Sequence, residues 1–308
     1  MAKLELEIEH FPPDLKSTKR LFGRADAKEV EPLIAAMIPG LSIEKTEGLL
    51  KPESQLSKYF GFLQISIYPL QQMVEASFNT RNPAIHGLTD NNTFSFQLYK
   101  NDPSKDALGM FALPGNTGHG VAKVMLQNLV DLMDDLERTK LTIKAGDELG
   151  GYVWLRYGGL IDPSVQDKAK FPDLKKRLKE KIDLLAPQII KMYPENGLEI
   201  IDAILKLITS EDPQTFWAIA NIDIPVTPLE KSSAMPKSYT PSIFLLNEEG
   251  KVPLGLVMFA GESWKGIIDL SRGSPSRAML ECMIHDHKLK IFPKNVLTEL
   301  QERLLWER

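Results

Sequence analysis

Apolar and polar positions change period several times along the first 75 residues. "LELEIEH" (Leu4–His10) alternates and predicts a strand. "AKEVEPLIAAMIPGLS" (Ala27–Ser42) has helical spacing and stops at Pro39-Gly40. "FLQISIY" (Phe62–Tyr68) alternates again and ends at Pro69. Residues 76–92 are rich in Asn, Thr, Pro and Gly and read as loop. "NTFSFQLYK" then predicts a strand with Phe94, Phe96 and Leu98 on one face, and "DALGMFALPG" the strand after it. From Val121 the spacing turns helical: Val121, Met125, Leu129, Leu132 and Leu136 share a stripe, with Asp131, Asp134 and Asp135 on other sides. "KLTIKA" (Lys140–Ala145) is short, alternating and predicts a strand. Strand, glycine loop, helix and strand make an α/β unit.

The composition shifts after Pro163. "FPDLKKRLKEKIDLLAPQIIKMY", "GLEIIDAILKLIT" and "DPQTFWAIANI" are three helical segments divided by Pro and Gly. Residues 223–242 hold four prolines and read as a linker. "SIFLLNEEGKVPLGLVMFA" reads as two apolar strands around Asn-Glu-Glu-Gly, a hairpin over 243–260. "SPSRAMLECMIHDHKL" predicts a Ser- or Pro-capped final helix. The expected organisation is an N-terminal region over 1–75, an α/β core over 76–162, and a helical region over 163–308 that carries the hairpin and packs on the core.

The 308-residue chain is 43% hydrophobic and 25% charged, with a formal charge of -4, so no global basic excess favours nucleic acid. Its single cysteine, Cys282, permits no internal disulfide, which is compatible with a reducing cytoplasm. The N-terminal stretch lacks the apolar run of a signal peptide, and no run reaches the roughly 18 apolar residues of a membrane span. A cytoplasmic protein with no membrane partner is expected.

The candidate chemistry lies in "PGNTGHGVAKV" (Pro114–Val124), where a glycine run opens onto the helical stripe. The first amides of a helix lack internal partners, the helix dipole adds positive charge, and glycine lets a pyrophosphate approach the backbone. Gly118, Gly120 and Ala122 supply small residues at alternate positions. No Gly-Lys-Ser/Thr follows, which argues against a Walker loop, and the dinucleotide spacing is off by one residue. Taken alone, the run is equally a tight strand-to-helix turn.

In its context, Gly118-His119-Gly120-Val121-Ala122 resembles the coenzyme A pyrophosphate loop of the GNAT N-acyltransferase superfamily, written (Arg/Gln)-x-x-Gly-x-(Gly/Ala). Gly120 and Ala122 match its end, and Thr117 stands where the family has Arg or Gln. "KLTIKA" falls where the family places its next strand, and "GGYVWLRYGG" where it places an aromatic helix ending in Gly-Phe. "GYVWLRYGG" (Gly151–Gly159) and "WKGIIDL" (Trp264–Leu270) resemble two signature elements of a divergent GNAT-like group. The motifs cover about residues 94–162 and 254–270.

The resemblance implies a GNAT-like mixed sheet with flanking helices, and acetyl-coenzyme A, or another acyl-coenzyme A, lying between the strands that end near Leu113 and Ala145. Backbone amides of Thr117, Gly118, His119, Gly120, Val121 and Ala122 would hold the pyrophosphate. An amide near Phe111 to Leu113 would polarise the thioester carbonyl. The acceptor would be a small-molecule or protein amine. Many family members use a tyrosine as general acid, but its usual place holds Trp154, which cannot deliver a proton at neutral pH. Tyr152 and Tyr157 are the nearby candidates, and Gly158-Gly159 replaces Gly-Phe. These departures leave a second implication open: a catalytically inactive GNAT-like module for protein interaction, with the C-terminal helical region as partner surface.

Asp147 and Glu148 follow "KLTIKA" and either cap a helix or line the cleft, Glu148 then serving as base. Trp154 and Arg156 are substrate-binding candidates, since Arg suits carboxylate or phosphate; Trp154 equally suits a core. His285-Asp286-His287 suggests a metal, but the two histidines diverge by about 200° on a helix, and no metal is expected. "DKAKFPDLKKRLKEKID" mixes both signs at helical spacing and reads as a solvated helix face, not as a nucleic-acid patch.

Overall fold

The computed structural model describes residues 5–10, 27–50, 60–80, 93–111, 121–146, 150–162, 170–229 and 250–285. The chain divides into two compact units, Met1–Ile143 with Leu270–Arg272, and Lys144–Asp269 with Gly273–Arg308.

The first unit holds β1 (Glu5–His10), α1 (Ala27–Met37), α2 (Ile43–Glu47), β2 (Phe60–Tyr68), β3 (Met73–Thr80), β4 (Thr93–Tyr99), β5 (Ala107–Phe111), α3 (Val121–Asp135) and the start of β6 (Lys140–Ala145). The strands lie side by side in chain order, β1 to β6. β1 is parallel to β2, β2 to β5 form an antiparallel meander, and β6 is parallel to β5. Register decides which face is buried. Leu63, Phe78 and Phe94 line up across three strands, as do Ile65, Ala76 and Phe96, and Ile67, Val74 and Leu98. All nine are buried, so the pleat stacks these apolar positions onto one face. Val30 and Ile34, at helical spacing, give α1 its buried stripe, and Ile38 just beyond its end continues it.

Residues 76–80, expected as loop, belong to β3. Ser77, Asn79 and Thr80 give the segment a loop-like composition, but Val74, Ala76 and Phe78 alternate with them. Pairing with β2 and β4 on both sides overrides propensity. Residues 81–92 lie outside the described residues.

Helix α3 ends as a Schellman turn. The Arg138 N–H reaches back 2.8 Å to Met133 O while Glu137 takes φ 54°. The turn delivers the Arg138 side chain, 9% exposed, to a buried cluster. Arg138 Nη1 donates to Tyr99 O at 3.0 Å and to Asp106 Oδ2 at 3.2 Å, and Tyr99 N donates to Asp106 Oδ1 at 2.8 Å. Burial outweighs these partners and raises the Asp106 carboxyl from 3.8 to about 6. A raised carboxyl favours the folded state fully below about pH 4, and that advantage is lost as pH rises through 6. The unfolding free energy of the parent minus that of Asp106→Asn is therefore expected to fall by on the order of 3 kcal/mol between pH 4 and pH 7. Paired urea titrations across that range measure it. A difference that rises with pH would put the Arg138 ion pair ahead of burial.

The second unit contains α4 (Gly150–Arg156), β7 (Leu160–Ile161), α5 (Lys170–Met192), α6 (Gly197–Thr209), α7 (Thr215–Ala220), β8 (Pro225–Val226), β9 (Val252–Pro253), α8 (Leu254–Phe259), β10 (Trp264–Asp269) and α9 (Pro275–Ile284). β10 pairs antiparallel with β7, and β8 with β9. α9 starts as its sequence predicts: Ser274 Oγ accepts from Arg277 N, and Pro275 takes the first turn.

The expected hairpin over 243–260 is corrected on its second half. Leu254–Phe259 is a helix, and only Val252–Pro253 is extended, paired with Pro225–Val226. All six α8 residues are buried. A short, uniformly apolar run carries no period, so strand and buried helix are indistinguishable in sequence. Residues 243–249 lie outside the described residues.

The charged run over the first half of α5 is not wholly a solvated face. Leu174, Leu178, Lys181, Leu185 and Ile189 form one fully buried stripe, and Lys181 is 0% exposed. Its Nζ donates to Met258 O at 2.8 Å and Ala260 O at 2.9 Å, and lies 2.9 Å from Glu262 Oε1. Arg177 Nε holds Glu262 Oε2 at 2.8 Å. The lysine thus satisfies carbonyls at the C-terminal end of α8, where the helix dipole favours a cation. Burial pushes its ammonium below the usual lysine range, and Glu262 opposes the shift.

Candidate functional site

The two signature-like segments, distant in sequence, meet inside the second unit. Gly266 and Ile267 of β10 pair with Ile161 and Leu160 of β7. Trp264 Nε1 donates to Gly151 O at 3.2 Å. A Cβ on Gly151 would stand 2.4 Å from Glu262 O, so only glycine lets α4 begin against that backbone.

α4 ends in a second Schellman motif. Gly158 N donates to Leu155 O and Gly159 N to Trp154 O, with Gly158 at φ 80°. The carbonyls that follow are held by side chains from elsewhere in the unit. Ser276 Oγ donates to Gly158 O at 2.6 Å, and Asp269 N donates to Ser276 Oγ at 3.0 Å. Trp217 Nε1 donates to Gly159 O at 2.7 Å. Gly158-Gly159 therefore stops a helix and anchors a junction, and the left-handed φ of Gly158 accounts for that glycine.

The candidate side chains divide along this helix. Trp154 is 3% exposed and belongs to the core. Tyr152 and Arg156 share the other face, four residues apart. Arg156 Nη1 donates to Tyr152 Oη at 2.8 Å, and its guanidinium carbon stands 5.5 Å from the Tyr152 ring centroid. Burial pushes the Tyr152 phenol above its usual range; Arg156 works against that, and Asp223 adds to it. The phenol is neutral at pH 7 and keeps its proton. Tyr157 is half-buried in the turn after α4. It lies five residues beyond Tyr152, about 140° around the helix, so the two hydroxyls do not share one face.

The other candidates fall in the chain as follows. Phe111 closes β5 and pairs with Thr93. Leu113, Thr117, Gly118, His119, Gly120 and Glu148 lie outside the described residues, as does Asp147. Val121 and Ala122 open α3, so the helix begins where the glycine run ends. The parallel β5–β6 ladder comprises Ala107↔Thr142 and Leu108↔Ile143, whereas β5 keeps its β4 partner out to Phe111. His285 forms the C-cap of α9, and its neighbours Asp286 and His287 lie outside the described residues. Among the described residues no group of three or more His, Cys, Asp or Glu could hold a metal, and no helix is long and apolar enough to cross a membrane.

Sequence reasoning missed the Lys181–Glu262–Arg177 network and the electrostatic effect of Asp223 on Tyr152. For Lys181 a signal existed: it interrupts the Leu174, Leu178, Leu185, Ile189 stripe at an apolar position. For Asp223 none did, because a lone acid between Ile222 and Ile224 has no local partner.

Compared with protein-family models, curated proteins and solved structures, the chain matches none.

Proposed function

We propose that the protein is an acyl-coenzyme A-dependent N-acyltransferase that modifies an amine. The observation that carries this reading is the succession from β5 to α3 to a parallel β6, with Val121-Ala122, the end of the Gly118-His119-Gly120-Val121-Ala122 motif, opening the helix. In this reading the amides of 117–122 hold the pyrophosphate at the helix N-terminus. The acceptor amine attacks the thioester carbonyl and loses a proton to a base or water. The carbon–sulfur bond breaks, and the departing thiolate takes a proton from an acid. Of the two candidate acids, Tyr152 has its hydroxyl fixed by Arg156 and retains its own proton.

The test is calorimetric titration of the full chain with acetyl-coenzyme A. The parent is expected to bind, and Gly120→Val to lose at least about tenfold in affinity, because a branched side chain blocks close approach to the amides. Equal binding by Gly120→Val would remove the loop from the site. With an acceptor in hand, Tyr152→Phe is expected to lower turnover by roughly 10²–10⁴-fold if its hydroxyl is the acid.

One observation favours a second reading, a non-catalytic module. Trp154 occupies the usual acid position and is built into the core. Absence of any acetyl-coenzyme A binding by the parent would select it.

A further inference from the structure

Among the described residues, three of the five large hydrophobic side chains left exposed lie on the α5–α6 pair. They are Leu184 at 48%, Ile190 at 39% and Leu198 at 72%. Such a concentration on one helical pair marks a surface that meets a partner.

α5 presents its share as an ordered strip. Pro187, also exposed, stands at the centre. Leu184 and Ile190 lie three residues before and after it, and Asp183 and Lys191 four before and after. At 100° per residue, all four fall within about 60° of Pro187 around the helix. Lys179 and Glu195 continue the order at eight residues on either side, Glu195 in the turn that follows the helix. α6 adds Leu198 beside Ile190, because α6 begins against it: a Cβ on Gly197 would stand 2.7 Å from Ile190 Cα. Lys179, Asp183, Lys191 and Glu195 are exposed, and none has an ion-pair partner among the described residues.

The order of this strip names its partner. From Pro187 outward, both directions read apolar then charged, and the charges on the two sides are of opposite sign. Antiparallel pairing with a copy, about a two-fold axis at Pro187, brings each residue level with the one equally far on the other side of the centre. Ile190 comes level with Leu184 of the copy, Lys191 with Asp183, and Glu195 with Lys179, each contact made twice. Apolar meets apolar and acid meets base. A parallel pairing would instead set Asp183 on Asp183 and Lys191 on Lys191, which repel.

We infer that the exposed face of α5, extended by Leu198, is a homodimer interface joined antiparallel about Pro187. The inference stands apart from the acyltransferase reading and survives its failure. Few side chains contribute from each copy, so the dimer is weak and concentration-dependent.

Sedimentation velocity of the full chain, from about 1 to 300 µM, tests it, since a weak dimer dissociates within that range. The mass is expected to rise from 34.6 kDa toward twice that value. Ile190→Glu, at an exposed position, is expected to weaken dimerisation by at least about tenfold. Asp183→Lys places like charge level with Lys191, and Lys191→Asp places like charge level with Asp183. Each alone is expected to dimerise roughly tenfold more weakly. Mixed one to one, these two variants restore opposite charges at both places, and the mixture is expected to dimerise as the parent does. Thermal melts verify that every variant folds. A mass that stays at 34.6 kDa throughout overturns the inference and leaves the face to a different protein. A dimer that Ile190→Glu leaves intact, or a mixture no tighter than its two components, overturns it as well.

Discussion

Lys181→Met is expected to lower the unfolding free energy by about 3–5 kcal/mol, the usual cost of breaking a buried ion pair from one side. Methionine nearly matches lysine in volume, so packing is not what is lost. The change leaves Glu262, 1% exposed, with Arg177 as its remaining cation, and removes the donor from Met258 O and Ala260 O. A covered carboxylate that loses one of its two cations and two covered carbonyls that lose their donor cost more than the new methyl group can return. Glu262→Gln added to Lys181→Met removes the buried charge that Arg177 alone would then balance and is expected to recover part of the loss. Urea titrations followed by tryptophan fluorescence read this unit directly, because Trp154, Trp217 and Trp264 all lie in it. A loss for Lys181→Met of under about 1 kcal/mol would mean that water already reaches these groups.

Gly158→Ala is the second large effect, expected at about 2–5 kcal/mol. Two costs combine. A left-handed φ of 80° costs a residue with a Cβ about 1–2 kcal/mol. The Cβ would also stand 2.3 Å from Ser276 O and 3.1 Å from Met279 Cβ. The backbone contact cannot be relieved by a rotamer change, so α9 must move, at about 1–3 kcal/mol more. Gly273→Ala is the control. It has φ 81° but nothing within 4 Å of its Cβ, so it carries the conformational cost alone. Equal losses for the two variants would show that no steric conflict exists at Gly158.

Much of the local structure was legible in the sequence. Period two in "NTFSFQLYK" and "KLTIKA", period 3.6 from Val121, Pro39-Gly40 and Ser274-Pro275 are all signals carried by a few neighbouring residues. Each one matches an element boundary or a buried face. Composition misled where neighbours decide: Ser77, Asn79 and Thr80 look like loop until β2 and β4 pair on either side. The same holds for Leu254–Phe259, whose uniform apolarity carries no period at all.

The candidate site was legible as residue types and not as roles. A sequence lists Tyr152, Trp154 and Arg156 in one helix; helical geometry alone sets Tyr152 and Arg156 on a common face. That Trp154 is core and that Gly158-Gly159 is a helix stop held by Ser276 and Trp217 depend on contacts across many residues. The sequence by itself determined the elements, because propensity, period and capping act over a single turn or strand. Tertiary structure alone decided the pairing of β10 with β7, the burial of Lys181 and the partners of each polar group. Burial and hydrogen bonding are set by whichever residues arrive from elsewhere in the chain, and no local pattern encodes that arrival.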